Sequence, residues 1–172
     1  MMNSALLYIP KLLTGAWLTL QLTGTAVLLG GLLALPLAIV LYEQRRGIRH
    51  PIALLLSFLR GTPLLAQLFL IYYGAGQFRP ELQAIGLWTF FREPFHCALL
   101  AFTLNTAAYQ TAILRGGLLA VSPGEIEAAR AYGFSRWQRY RLIILPNAYR
   151  LALPALGNEL ILLLKGGAVA SI

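Results

Sequence analysis

Three stretches of this chain carry no charged side chain: residues 12–42, 61–78 and 94–114, which are 31, 18 and 21 residues long. The hydrocarbon core of a bilayer is about 30 Å thick and a helix of about 20 apolar residues crosses it. Each stretch is long enough to be a membrane span. A fourth apolar run, 151–172, is interrupted by Glu159 and Lys165, so it is a span with charge inside it or no span. Spans are expected at 14–41, 58–78, 95–118 and 151–172. With 58% hydrophobic and 12% charged residues, the fold class is an all-α membrane protein, a polytopic helical bundle. The segment Met1 to Thr14 holds one lysine and lacks a short apolar region followed by a small-residue cleavage site, so it reads as the start of a span and not as a signal peptide.

The net charge of +8 raises the possibility of nucleic acid as a partner. A nucleic-acid binder shows its basic residues on a solvated surface, whereas here they sit at the ends of apolar runs, and no nucleic acid is expected. Their placement sets orientation instead. Loop 43–51 holds Arg45, Arg46 and Arg49, and loop 121–150 holds Arg130, Arg136, Arg139, Arg141 and Arg150. Between the second and third spans, Arg79 and Arg92 are balanced by Glu81 and Glu93. Positive charge stays inside, so both basic loops are expected in the cytoplasm and the N-terminus outside.

The second basic loop has helix signals of its own. Ser122, Pro123, Gly124 and Glu125 read as a capping box with proline in the first turn. The helix that follows should end at Gly133, the residue type best able to turn left-handed. Ser135 and Gln138 repeat the start signal, and Pro146 reads as a break before the fourth run. Two short helices with a glycine corner make a docking arm: Ala128 and Ala129 leave backbone bare for another surface, with Glu127 and Arg130 at its edges. An amphipathic helix lying on lipid headgroups would have the same spacing.

Glu127-Ala128-Ala129, three residues, Gly133, nine residues, then Ile143, any residue, Leu145-Pro146 resembles the EAA loop of permease subunits of bacterial ATP-binding-cassette (ABC) importers at every fixed position. RGTPLLAQLFLIYYGAGQF (60–78), LNTAAYQTAILRGG (104–117) and LGNELILLLK (156–165) are similar to segments of polar-amino-acid permeases, and LW through EPFHCALLAFTLNTAAY (87–109) to the arginine-transport members. The resemblance implies a type-1 ABC transmembrane domain over 12–172, in the inner membrane of a bacterium, with the N-terminus periplasmic. It implies ABC ATPase subunits that dock at Glu127, Ala128, Ala129, Gly133, Leu145 and Pro146. A second, identical or different permease subunit and a periplasmic substrate-binding protein complete the implied assembly, and the cargo would be a basic amino acid, arginine first. Relatives are expected to have five helices, so about four spans of five are present, and the chain, which stops at LLLKGGAVASI, reads as shortened at its C-terminus. Many relatives carry glutamate where this chain has Ala112, so a substrate contact by that acid does not carry over.

Polar side chains inside a bilayer are costly unless paired or facing water, so each marks a possible solute path. Asn105 and Tyr109 are four apart and share a helix face; Thr106 and Gln110 lie on the adjacent one. Gln67 and Thr62 fall on the second span. Gln67, Asn105 and Tyr109 are the candidate path residues, and hydrogen bonding between helices is the alternative use of each. Glu159 and Lys165, six apart, fall on different faces, and each is expected to pair with another helix or to lie near the cytoplasmic end. Pro36, Pro63 and Pro154 should kink or start helices, and the Gly30-Gly31 and Gly116-Gly117 pairs should permit close helix contact.

No catalytic residue is expected. A glycine-rich phosphate loop is absent, so ATP hydrolysis belongs to a separate subunit. Two histidines, one cysteine and no aspartate form no metal set, and no cofactor is expected. Two other classes remain: an ion-coupled carrier using Glu159 and Lys165, and a non-transporting scaffold.

Overall fold

The structure, a computed structural model, describes residues 2–44 and 47–170; Arg45, Arg46 and the last two residues of the expected fourth span lie outside them. Every regular element among the described residues is helical. Helix α1 runs Met2–Tyr42, α2 Arg49–Gly61, α3 Leu64–Gln77, α4 Arg79–Ala84, α5 Trp88–Phe91, α6 Pro94–Leu119, α7 Pro123–Ala131, α8 Arg136–Arg139 and α9 Leu145–Ala170. A π-helical turn, Tyr140–Ile144, joins α8 to α9.

Two helices, Ile9–Tyr42 and Pro94–Leu119, are long and apolar enough to cross a membrane, and a third crossing exists if α2 and α3 count as one bent span. At 13 and 14 residues, α2 and α3 are each about 20 Å long, too short to cross alone, and their axes meet at 103°. The span expected at 58–78 is therefore two helices, broken at Thr62-Pro63. Pro63 cannot donate to the carbonyl of Leu59, and its ring disfavours a helical residue before it. Pro36 and Pro154 lie inside continuous helices, and Pro63 directly precedes α3.

Helix α6 is the centre of the bundle. Its Leu114 and Leu118 pack with Ala34 and Ala38 of α1 and with Ala148 and Ala152 of α9. Its Ala98 and Phe102 pack with Leu22, Ala26 and Leu163, and its Ala108 with Leu41 and Leu56. Small residues set these distances, as expected where lipid supplies no hydrophobic drive between helices. A methyl group on Gly117 would lie 2.5 Å from the Ala148 carbonyl oxygen, and one on Gly30 would collide with the Thr106 side chain.

Candidate functional site

The break between α2 and α3 leaves backbone carbonyls without their helical donors, in a region where water is scarce. Three sequence-selected residues converge on it. Gln67 Nε2 donates to the Leu59 carbonyl at 2.6 Å, to the Thr62 carbonyl at 3.2 Å and to Thr62 Oγ1 at 2.6 Å. Asn105 Nδ2 donates to the same Leu59 carbonyl at 3.2 Å and to Gln67 Oε1 at 3.3 Å. The Tyr109 hydroxyl donates to the Arg60 carbonyl at 3.1 Å. Gln67 and Asn105 are buried, while Tyr109 is 36% exposed. Gln67 and Asn105 thus stabilise the broken backbone, and the Tyr109 ring is left at an opening.

That opening is a cleft of about 200 Å³ lined by Leu64, Asn105, Tyr109, Glu159, Leu162 and Leu163. Glu159 of α9 thereby faces Asn105 and Tyr109 of α6 and the first residue of α3. Neither Glu159 nor the exposed Lys165 makes an ion pair among the described residues, so the first of the two alternatives read from the sequence, pairing with another helix, is not formed. The cleft joins a carboxylate, an amide, a phenol and a helix N-terminus, which together suit a small molecule with both a cationic and an anionic group. Thr106 and Gln110 face α1 instead, against Gly30 and Gly31.

At the far end of α6, the arm is built as two helices around a corner. Its first helix ends in a Schellman turn: the Phe134 N–H reaches the Ala129 carbonyl at 3.0 Å and the Gly133 N–H the Arg130 carbonyl at 2.9 Å. Gly133 has φ of +79°, the left-handed value that a residue with a side chain rarely takes. Ser135 and Gln138 form a full capping box, with Gln138 N donating to Ser135 Oγ at 3.3 Å and Ser135 N to Gln138 Oε1 at 2.8 Å. The capping box expected at Ser122 and Glu125 does not form. Glu125 accepts instead from Asn147 Nδ2 of α9 at 2.7 Å, which turns it away from its own helix end.

Two further expectations change here. Ala128 is exposed beside Glu127, but Ala129 is 4% exposed and faces its own bundle, so only the first alanine is open to a partner. Pro146 does not break the chain. The preceding π turn carries the bond from Leu145 N to the Tyr140 carbonyl and widens the helix just where the proline ring would strike the carbonyl four residues back. Leu145 is half-buried and Pro146 exposed at the start of α9. The arm is tied to α1 by Glu43, which pairs with Arg136 and accepts from the Tyr140 hydroxyl at 2.9 Å. No spacing rule links Glu43 to residues 93 and 97 positions away, and the sequence reading missed it.

Residues 26–172 match the family described as the binding-protein-dependent transport system inner membrane component. The chain belongs to that family. Among permeases it is 47% identical over 162 residues to the nopaline transport system permease protein NocM of Agrobacterium fabrum, covering 94% of this chain and 67% of that one. It is 46% identical over 160 residues to the octopine transport system permease protein OccM of Rhizobium meliloti, covering 93% of this chain and 65% of that one. It is 48% identical over 157 residues to the histidine/lysine/arginine/ornithine transport system permease protein HisM of Salmonella typhimurium, covering 91% and 67%. The chain spans about two thirds of the length of these curated relatives. A crystal structure of an amino acid ABC transporter with histidines superposes with a TM-score of 0.81 at 36% identity, over 99% of this chain and 75% of that one. An inward-facing structure of the MetNI methionine ABC transporter shares the fold, with a TM-score of 0.72 at 23% identity over 92% of this chain and 72% of that one. These relatives are transport subunits, in keeping with a chain that carries no enzyme of its own.

Proposed function

We propose that this chain is the membrane-spanning subunit of an ATP-driven importer that carries a basic amino acid, arginine first, across the bacterial inner membrane. The observation that carries the reading is the cleft at the broken span, where Glu159 faces Asn105, Tyr109 and the N-terminus of α3. Broken helices at mid-membrane are where transporters form substrate sites. Here Glu159 would hold the cationic side chain, while the α3 N-terminus favours the carboxylate. The names of the relatives, which cover histidine, lysine, arginine, ornithine, nopaline and octopine transport, support the same class.

In this reading the N-terminus is periplasmic, and the α7 arm is cytoplasmic and docks an ABC ATPase through Glu127, Ala128 and the Gly133 corner, with Leu145 and Pro146 at its root. A fourth span along α9, a second permease subunit and a periplasmic binding protein complete the assembly. ATPase closure would push the arm and rock α6 and α9 against α1, changing which side reaches the cleft.

The test is arginine uptake by proteoliposomes that hold the permease with the ATPase, binding protein and partner permease of its system. Glu159→Gln should weaken uptake of arginine at least tenfold and leave ATPase binding intact. Gly133→Val should abolish coupling and ATPase binding with insertion unchanged. Uptake that continues without ATPase and is stopped only by an uncoupler would replace this reading with an ion-coupled carrier. Normal uptake and assembly in both variants would leave a scaffold.

A further inference from the structure

A second cavity, of about 370 Å³, lies between the end of α1, α2 and α6. It is lined by three arginines, Arg49, Arg60 and Arg115, with Ser57, Thr111 and Ala112 between them, and no carboxylate lines it. The Arg115 Nε is buried and has no hydrogen-bond partner among the described residues. Among the described residues, Arg60 Nε reaches its own helix, at 3.4 Å from the Leu56 carbonyl. The two glutamates that could serve lie elsewhere, since Glu43 is engaged by Arg136 and Tyr140 and Glu159 faces the other cleft.

Arg49 and Arg115 are half-buried and Arg60 is exposed, with Arg115 Nε the buried atom; clustered guanidinium groups with no carboxylate between them repel one another, and their planar forks match carboxylate or phosphate oxygens. The cavity runs the length of α2, from Arg49 in its first turn to Arg60 in its last, along α6 from Arg115 to Ala108; its outer end, at the last turn of α1 and the first of α2, adjoins the basic loop 43–51 and so the level of the membrane boundary. Basic pockets between spans at this level suit anionic headgroups. We infer that the Arg49, Arg60 and Arg115 cavity is an oxyanion site that takes the phosphate of an anionic phospholipid. This does not depend on the amino acid carried.

The purified permease is heated in neutral detergent micelles doped with phosphatidylglycerol, with phosphatidylcholine, or supplemented with inorganic phosphate, and the unfolding midpoint is followed. Phosphatidylglycerol should raise the midpoint and phosphatidylcholine should not. The concentration needed should rise about tenfold in Arg115→Gln and in Arg49→Gln, as expected for losing one charged hydrogen bond. Ala112→Glu, one turn from Arg115, would supply an internal carboxylate and should remove the lipid response while leaving the protein folded. Arg150→Gln, outside the cavity, should respond like the wild type. An equal response to inorganic phosphate, lost in the same variants, would keep the oxyanion site and assign it a soluble ligand. A response to phosphatidylglycerol that survives Arg49→Gln and Ala112→Glu, or falls equally in Arg150→Gln, would overturn the inference, as would no response at all.

Discussion

Gln67 donates to two carbonyls and a hydroxyl of the broken segment and accepts from Asn105, so one side chain meets the polar groups that the end of α2 leaves at the break. Leucine in its place would leave the Leu59 carbonyl to Asn105 alone and the Thr62 carbonyl bare, at a cost of about 1–3 kcal/mol for a buried unsatisfied group. Tyr109→Phe loses a single bond at a partly open site, about 0.5–1.5 kcal/mol. The unfolding midpoint in detergent should therefore drop more for Gln67→Leu than for Tyr109→Phe. Uptake should drop more for Tyr109→Phe, whose hydroxyl is the one at the cleft; the reverse order in either measurement contradicts these assignments. The sequence makes Asn105 and Tyr109 neighbours through their four-residue spacing. It does not place Gln67 beside them, because that meeting depends on the bend at Thr62-Pro63. Hydropathy averaged over 58–78 hides the bend, although Gly61, Thr62 and Pro63 in a row are its local signal.

At the scale of elements, long helices are legible from uncharged runs because no other structure satisfies a backbone in lipid. Short helices of the arm are legible from their glycine and serine punctuation. What joins the arm to the bundle is not: Glu43 at the end of α1 meets Arg136 and Tyr140 only after the chain has folded back through α6 and α7. Burial first, and then the hydrogen bond and charge of Glu43, push the Tyr140 phenol up to about 12, and Glu43 likewise raises the Arg136 guanidinium. An unperturbed phenol ionises near pH 10, roughly two units lower. Between those values the folded chain keeps a proton that the unfolded chain has lost, so this tie contributes its full stability below about pH 10 and loses it as pH rises through about 12. Phenolate absorbance in the folded permease should show a late component that Tyr140→Phe removes. Glu43→Gln should move its midpoint down toward the ordinary value; an unmoved midpoint would mean that burial alone sets it.

For the whole molecule, the apolar surface is still unpartnered. Leu12, Leu28 and Leu32 on α1 and Leu70 on α3 are about 70% exposed, which fits a chain whose neighbours are lipid and other subunits. The described part of α1 that passes as a span, 34 residues, is about 51 Å long against a hydrocarbon core of about 30 Å, so it must tilt or protrude. In the proposed reading its direction follows from the arginines after α1 and in the arm, and that direction decides whether an ATPase can reach α7. Cys97 is the single cysteine, buried with Sγ donating to the Phe91 carbonyl at 3.2 Å, and a serine can make the same bond, so Cys97→Ser gives a cysteine-free background. Glu127 on α7 and Glu81 on α4 are both exposed and lie beyond opposite ends of α6. In that background Glu127→Cys should react with a membrane-impermeant maleimide in inside-out vesicles and not in right-side-out ones. Glu81→Cys should do the opposite. The positive-inside argument needs both results, since arginine placement orients the whole bundle and not one loop. Labelling of the Glu127→Cys variant from the periplasmic side would put the arm out of reach of any nucleotide-driven partner. The cleft at Glu159 would then have to be worked by an ion gradient.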